Sequence, residues 1–113
     1  MLAAVVAAVH EAGGRVAVHS QHAGGGAAAV AARVDSLEHG MELDSALLPR
    51  MAEQGTALTP TLDVLLSHLD DVRTRPDSPR KEWYLRGATA HPALGTILDR
   101  PRAVILRGRL VQA

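Results

Sequence analysis

Leu2, Val5, Val6 and Val9 are spaced by three and four residues, which puts them on one face of a helix. Gly13-Gly14 predicts the end of that helix, because glycine accepts the left-handed backbone that closes one. Val16-Ala17-Val18 is a short apolar run. It predicts a strand buried on both faces, as strands of parallel sheets are, with His19 at its end. Ser20 to Gly26 reads as a loop with three consecutive glycines, and Ala27 to Arg33 as an alanine-rich helix. Asp35-Ser36-Leu37-Glu38-His39 predicts a second short strand, closed by Gly40. Asp44 is placed to cap a helix running to about Gln54, with Gly55 as its stop. Pro49 inside that stretch requires a late start, with the proline in the first turn, or a kink. Thr56 to Thr59 predicts a third strand, stopped by Pro60. Leu62, Leu65, Leu66 and Leu69 mark one face of a further amphipathic helix.

Residues 1–72 therefore alternate helix and strand from end to end. That order implies parallel strands joined by right-handed crossovers, and hence the α/β class. After Val72 the pattern fades. Arg73 to Arg80 holds two prolines and reads as an exposed linker. Trp83 to Thr96 has no clear period. Ala103 to Leu106 and Leu110-Val111, on either side of Arg107-Gly108-Arg109, predict a strand or hairpin. The expected organisation is an α/β part over 1–72 and a linker and tail over 73–113.

Composition narrows the picture. With 113 residues there is room for one small domain. Hydrophobic residues make up 47% of the chain, yet Phe is absent and Trp83 and Tyr84 are the only aromatics, so Ala, Val and Leu must fill the core. The absence of cysteine excludes disulfide scaffolds, thiolate zinc sites and cysteine nucleophiles. The formal net charge of zero argues against nucleic-acid or acidic-lipid binding by bulk charge. It hides an asymmetry, −6 over residues 1–72 and +6 over residues 73–113. No aromatic platform is interleaved with the arginines of the second half, so nucleic acid is not an expected partner. Met1 to Val9 is apolar but lacks a basic flank and is too short to span a bilayer, so the expectation is a cytoplasmic chain with no membrane partner.

The candidate chemistry lies in His19 and His39. Each ends a predicted parallel strand, and strand C-termini are where parallel α/β folds hold their sites. They are 20 residues apart, about one βα repeat. Neighbouring strands are roughly 4.8 Å apart, so both imidazoles could reach one ion. A catalytic zinc uses about three protein ligands and a water. His22 is a possible third group, in a loop whose shape the sequence does not give. Glu38 is expected to face away from His39, since successive strand residues point to opposite faces, and to serve an ion pair or helix contact instead. Asp63 is an outside candidate for a polar contact. His10, His68 and His91 read as solvated or locally bonded. Gly24-Gly25-Gly26 lacks the spacing of a phosphate loop and reads as a flexible connection.

Three segments carry a resemblance. Val9-His10-Glu11-Ala12-Gly13-Gly14-Arg15-Val16-Ala17-Val18-His19 resembles the fifth-strand region of metal-dependent amidohydrolases, in particular the imidazolonepropionase-like and Xaa-Pro-dipeptidase-like branch. Ala31 to Gly40 is similar to that family's sixth-strand motif, usually Ala-Gly-Val-Asp-Ser-Ile-Glu-His-Gly. Met51 to Leu62 is similar to its seventh-strand signature ending in Pro-Thr-Leu. More loosely, Arg100 to Val111 resembles the closing strands of the family's small β domain.

The resemblance implies part of a (β/α)8 TIM barrel, three parallel strands with helices, followed by an irregular tail with a short β segment. It implies His19 and His39 as metal ligands and a divalent metal, commonly zinc. It implies an enzyme, a hydrolase of carbon–nitrogen bonds in a small-molecule amide, cyclic amide or dipeptide. No catalytic residue is assigned. The family's His-x-His, its strand-four ligand and its strand-eight Asp have no counterpart here, and a full barrel takes about 250 residues. The chain is thus expected to be a truncated piece, inactive alone, with its metal weakly held or absent. The alternatives are half of a split amidohydrolase, met by a complementing chain or another copy, and a non-catalytic interaction domain.

Overall fold

The computed structural model describes residues 1–92 and the strand backbone at 104–106 and 109–112. Helix α1 spans Leu2–Glu11, strand β1 Ala17–Ser20, α2 Ala23–Ala31, β2 Ser36–His39, α3 Leu48–Gln54 and β3 Ala57–Thr59. Then come α4 at Leu62–Ser67, α5 at Leu69–Thr74 and α6 at Pro79–Thr89, with β4 at Val104–Leu106 and β5 at Arg109–Gln112. Strands β1, β2 and β3 form one parallel sheet in that order, and β4 and β5 pair antiparallel. The predicted α/β fold is present as a three-stranded parallel sheet flanked by helices. Of the predicted C-terminal strand or hairpin, Ala103, Arg107 and Gly108 lie outside the described residues.

Local chemistry sets the element ends. Gly13, at φ 75°, closes α1, and Gly14 N donates to Val9 O at 2.9 Å. The Asp44 carboxylate accepts from Ala46 N at 2.9 Å and heads a 3-10 turn at Ser45–Leu47. Helix α3 then starts late with Pro49 in its first turn, the first of the two arrangements that proline allowed, and Gly55 ends it at φ 76°.

Three elements differ from expectation. The glycine run is not a loop: it lies inside α2, because the His22 Nδ1 accepts from Gly24 N at 3.1 Å and caps the helix two residues earlier. A Cβ on Gly25 would collide with the Ser20 hydroxyl, so the run permits a close approach of helix to strand. The helix predicted from Leu62 to Leu69 is two short helices, broken at His68, whose Nδ1 donates to Val64 O at 2.8 Å. Helix α6 was not visible as a period because its buried residues are Gly87 and Ala88, too small to mark an apolar stripe. Its start is conventional: Ser78 accepts from Lys81 N at 3.1 Å, and Pro79 follows in the first turn.

The core lies on one side of the sheet. Val6 of α1, Ala29 and Val30 of α2, Val34, Leu37 of β2, Leu43 and Met51 of α3 form one buried cluster, with Val18 and Leu58 packed against it. A second cluster joins Met41, Leu65, Leu69 and Ala88, edged by Trp83 and Tyr84. In register, Val18, Leu37 and Leu58 share the packed face, while Ala17, Ser36 and Ala57, and likewise His19, Glu38 and Thr59, share the other. On that second face Ala17, His19, Ala57 and Thr59 are exposed. The expectation that β1 is buried on both faces therefore fails, because α1, α2 and α3 all contribute to the single cluster on the Leu37 side.

Candidate functional site

His19 ends the bare face of β1 and is exposed; His39 ends β2 and is half-buried. The structure brings their rings together. His19 Nδ1 and His39 Nε2 are 3.2 Å apart, with ring centroids at 5.2 Å and planes at 55°. Strand pairing alone would not do this. His19 lies opposite Glu38, and His39 lies opposite Ser20, so simple alternation sends the two rings to opposite faces. The backbone of His39 is left-handed, at φ 69°, and this turns its ring toward His19.

Two further contacts hold His39. Its Nδ1 is 2.8 Å from the Thr61 hydroxyl, and its carbonyl accepts from His91 Nε2 at 2.6 Å. Thr61 is also left-handed, at φ 49° and ψ 39°, an outlier for a β-branched residue. Strain of this kind costs of order 1–3 kcal/mol per residue and concentrates at functional sites. Gly40, at φ 61°, completes the turn, and its N–H is shared between Ser20 O and Glu38 O.

The remaining histidines are committed elsewhere. His10 Nε2 donates to Asp35 Oδ2 at 2.8 Å, His22 Nδ1 caps α2 and His68 Nδ1 donates to a carbonyl. His91 is buried and reaches 52 positions back to His39, and His10 reaches 25 positions forward, so neither is solvated or locally bonded as the sequence implied. His22 is a helix cap and not a third member of the pair. Asp63 stands exposed in the first turn of α4, and no hydrogen bond joins it to either histidine.

Glu38 stays out of the pair for a reason other than the expected one. It shares the bare face with His19, but its carboxylate is occupied by the Ser36 hydroxyl. That bond holds Glu38 below the ordinary value of 4.5 against the opposing effect of burial, helped by the Thr59 hydroxyl and the charges of His19 and His39. The acid therefore remains ionised beside the imidazoles.

The donor set suits a divalent metal as far as it goes. Two imidazole nitrogens on one tetrahedral zinc lie about 3.3 Å apart, given Zn–N bonds near 2.0–2.1 Å. The observed 3.2 Å matches that separation. Among the described residues no group of three or more His, Asp or Glu is gathered to hold a metal, so the pair supplies two ligands and no more.

A cleft of about 630 Å³ opens elsewhere, between α4, α5 and α6, lined by Leu65, Trp83 and Tyr84 among others. It contains neither His19 nor His39, and its charges are largely paired: Arg75 with Asp71, and Lys81 with Asp77. Among the described residues no helix is long and apolar enough to cross a membrane.

A parallel α/β unit with converging polar groups at its strand C-termini has the layout of a hydrolase-like fold. The comparisons agree at that level. The chain is similar to the crystal structure of a Xaa-Pro dipeptidase with bound methionine in the active site, at 32% identity and a TM-score of 0.59. The match covers 79% of this chain but 21% of the dipeptidase chain, so the chain spans about a fifth of that structure's length. The similarity supports a distant relationship. No family model matches the chain. No curated protein matches it.

Proposed function

We propose that the chain is a piece of a metal-dependent amidohydrolase barrel, carrying its fifth to seventh strands, in which His19 and His39 are two ligands of a divalent metal, zinc by donor type. The reaction is hydrolysis of a carbon–nitrogen bond in a small amide, cyclic amide or dipeptide. The observation that carries this reading is the pair of imidazole nitrogens facing each other at 3.2 Å, each ring borne by the end of a parallel strand. The distant similarity to a dipeptidase supports it.

The chemistry such an ion supplies, when bound, is water activation and carbonyl polarisation. This chain's own residues do the holding. His39 is fixed by Thr61 and His91, while His19 is exposed and adjusts to it. Glu38 adds a fixed negative charge on the same face as His19. The bare sheet face and the two open sheet edges favour completion by further barrel strands over an autonomous catalyst. The proposed division at residue 73 separates these barrel strands from a tail. Among the described residues, Arg86 of that tail pairs with Glu42, so part of the charge asymmetry is satisfied within the chain.

Cobalt titration followed by visible absorption tests the assignment. The wild-type chain is expected to bind one ion weakly and show no turnover alone. His19→Ala and His39→Ala are each expected to abolish the spectrum. Equal cobalt uptake by the double variant would overturn the metal-pair reading.

A further inference from the structure

We propose that Thr61 is a positioning residue for His39, fixing the imidazole tautomer so that the proton sits on Nδ1 and the Nε2 lone pair points at His19. The purpose of this arrangement rests on the metal-pair reading above; its geometry does not.

Three observations carry the inference. First, Thr61 stands at the N-cap of α4, where a threonine hydroxyl ordinarily accepts a hydrogen bond from the first turn of the helix. Here it makes no side-chain cap bond, and the hydroxyl is instead 2.8 Å from His39 Nδ1. Second, reaching that position puts a β-branched residue in the left-handed region, which local sequence does not favour. A helix start without its cap, on strained backbone, is what a residue shows when its hydroxyl is needed elsewhere. Third, the residue it touches is held from the other side as well. A carbonyl can only accept, so the buried His91 carries its proton on Nε2 and donates to His39 O at 2.6 Å. Backbone and ring of His39 are therefore both restrained, and the freedom left to the ring is its tautomer.

The Thr61 hydroxyl can accept or donate. If it donated to Nδ1, a neutral His39 would carry its proton on Nε2, directed at His19, and Nε2 could not bind a cation. If it accepts from Nδ1–H, the Nε2 lone pair is left facing His19. Ligating histidines ordinarily donate their second N–H to such a partner, and loss of the partner lowers metal affinity about 10- to 100-fold.

The test uses the full chain, free of metal, and long-range proton–nitrogen NMR of its imidazoles. Wild type is expected to show His39 in the Nδ1–H form. Thr61→Val, which keeps shape and removes the hydroxyl, is expected to give a mixture of tautomers; Thr61→Ser is expected to keep the wild-type form. Cobalt affinity should fall about tenfold or more in Thr61→Val and recover in Thr61→Ser. A wild-type proton on Nε2 overturns the proposal without any variant, and so does an unchanged tautomer in folded Thr61→Val. If the tautomer shifts in Thr61→Val while wild type binds no cobalt, the role of Thr61 stands and the metal-pair reading falls. If cobalt binds and Thr61→Val changes nothing, the reverse holds.

Discussion

Arg33, His39 and Thr61 are the non-glycine residues with positive φ among the described residues. Two of them meet at the candidate site, and the third serves helix termination. Arg33 follows α2 at φ 62°, where Val34 N reaches back to Ala29 O and Arg33 N to Val30 O. That is a helix end of the kind glycine usually occupies. The arginine is exposed and makes no hydrogen bond or ion pair through its side chain, so its strain has no compensating contact. Arg33→Gly is expected to stabilise the chain by about 1 kcal/mol, the scale of the left-handed penalty for a side chain with a Cβ. Urea denaturation checks it, with Arg33→Ala as a control that should show no such gain. His39 and Thr61 are different: their strain is matched by hydrogen bonds to each other and to His91. This also explains what could be read in advance. His19 and His39 could be picked out because each closes an apolar run. Thr61 and His91 could not, since their roles depend on backbone turns and a 52-residue reach that no local pattern encodes.

Strand and helix order over 1–72 follows from local signals, because caps, glycine stops and short apolar runs act within a few residues. Joining the elements depends on contacts that those signals do not contain, and Asp35 is the clearest case. Its carboxylate accepts from His10 Nε2 at 2.8 Å and from Val16 N at 2.7 Å, tying the end of α1 and the entry to β1 to the start of β2. The His10 bond, then the Val16 amide, holds the Asp35 pKa below its ordinary value of 3.8, against the opposing effect of burial. A folded-state pKa below the unfolded one means that the stabilisation is fully present above the unfolded value. It is lost as pH falls through the lower, folded value. Asp35→Asn is therefore expected to lower the urea midpoint near neutral pH. The gap to wild type should close in strong acid, where the wild-type carboxyl is protonated. A gap that stayed constant into acid would show that Asp35 acts through shape alone.

The three-stranded sheet buries Leu37 completely on one face and leaves Ala17, His19, Ala57 and Thr59 exposed on the other. Parallel sheets normally have both faces covered, so stability here must come from the helical side. The central strand is then the best protected part of the sheet. Strand β2 pairs on both sides, with Ala17–Ser20 and with Ala57–Thr59, whereas β1 and β3 each have one paired edge in this sheet. Protection against hydrogen exchange tracks buried contacts and paired backbone, with free energies running from near zero at exposed edges to the global value in the core. Amides of Leu37 and Glu38 are expected to exchange most slowly. Outward-facing amides of β1 and β3 should exchange faster by orders of magnitude, read residue by residue by NMR after transfer to heavy water. Supplying the missing strands of a barrel in trans should slow β1 and β3 selectively, because only their outer edges gain partners, while β2 already has both. Uniform protection across all three strands of the isolated chain would mean that its edges are already covered, most simply by another copy of itself. Completion by other barrel strands would then lose its physical motive.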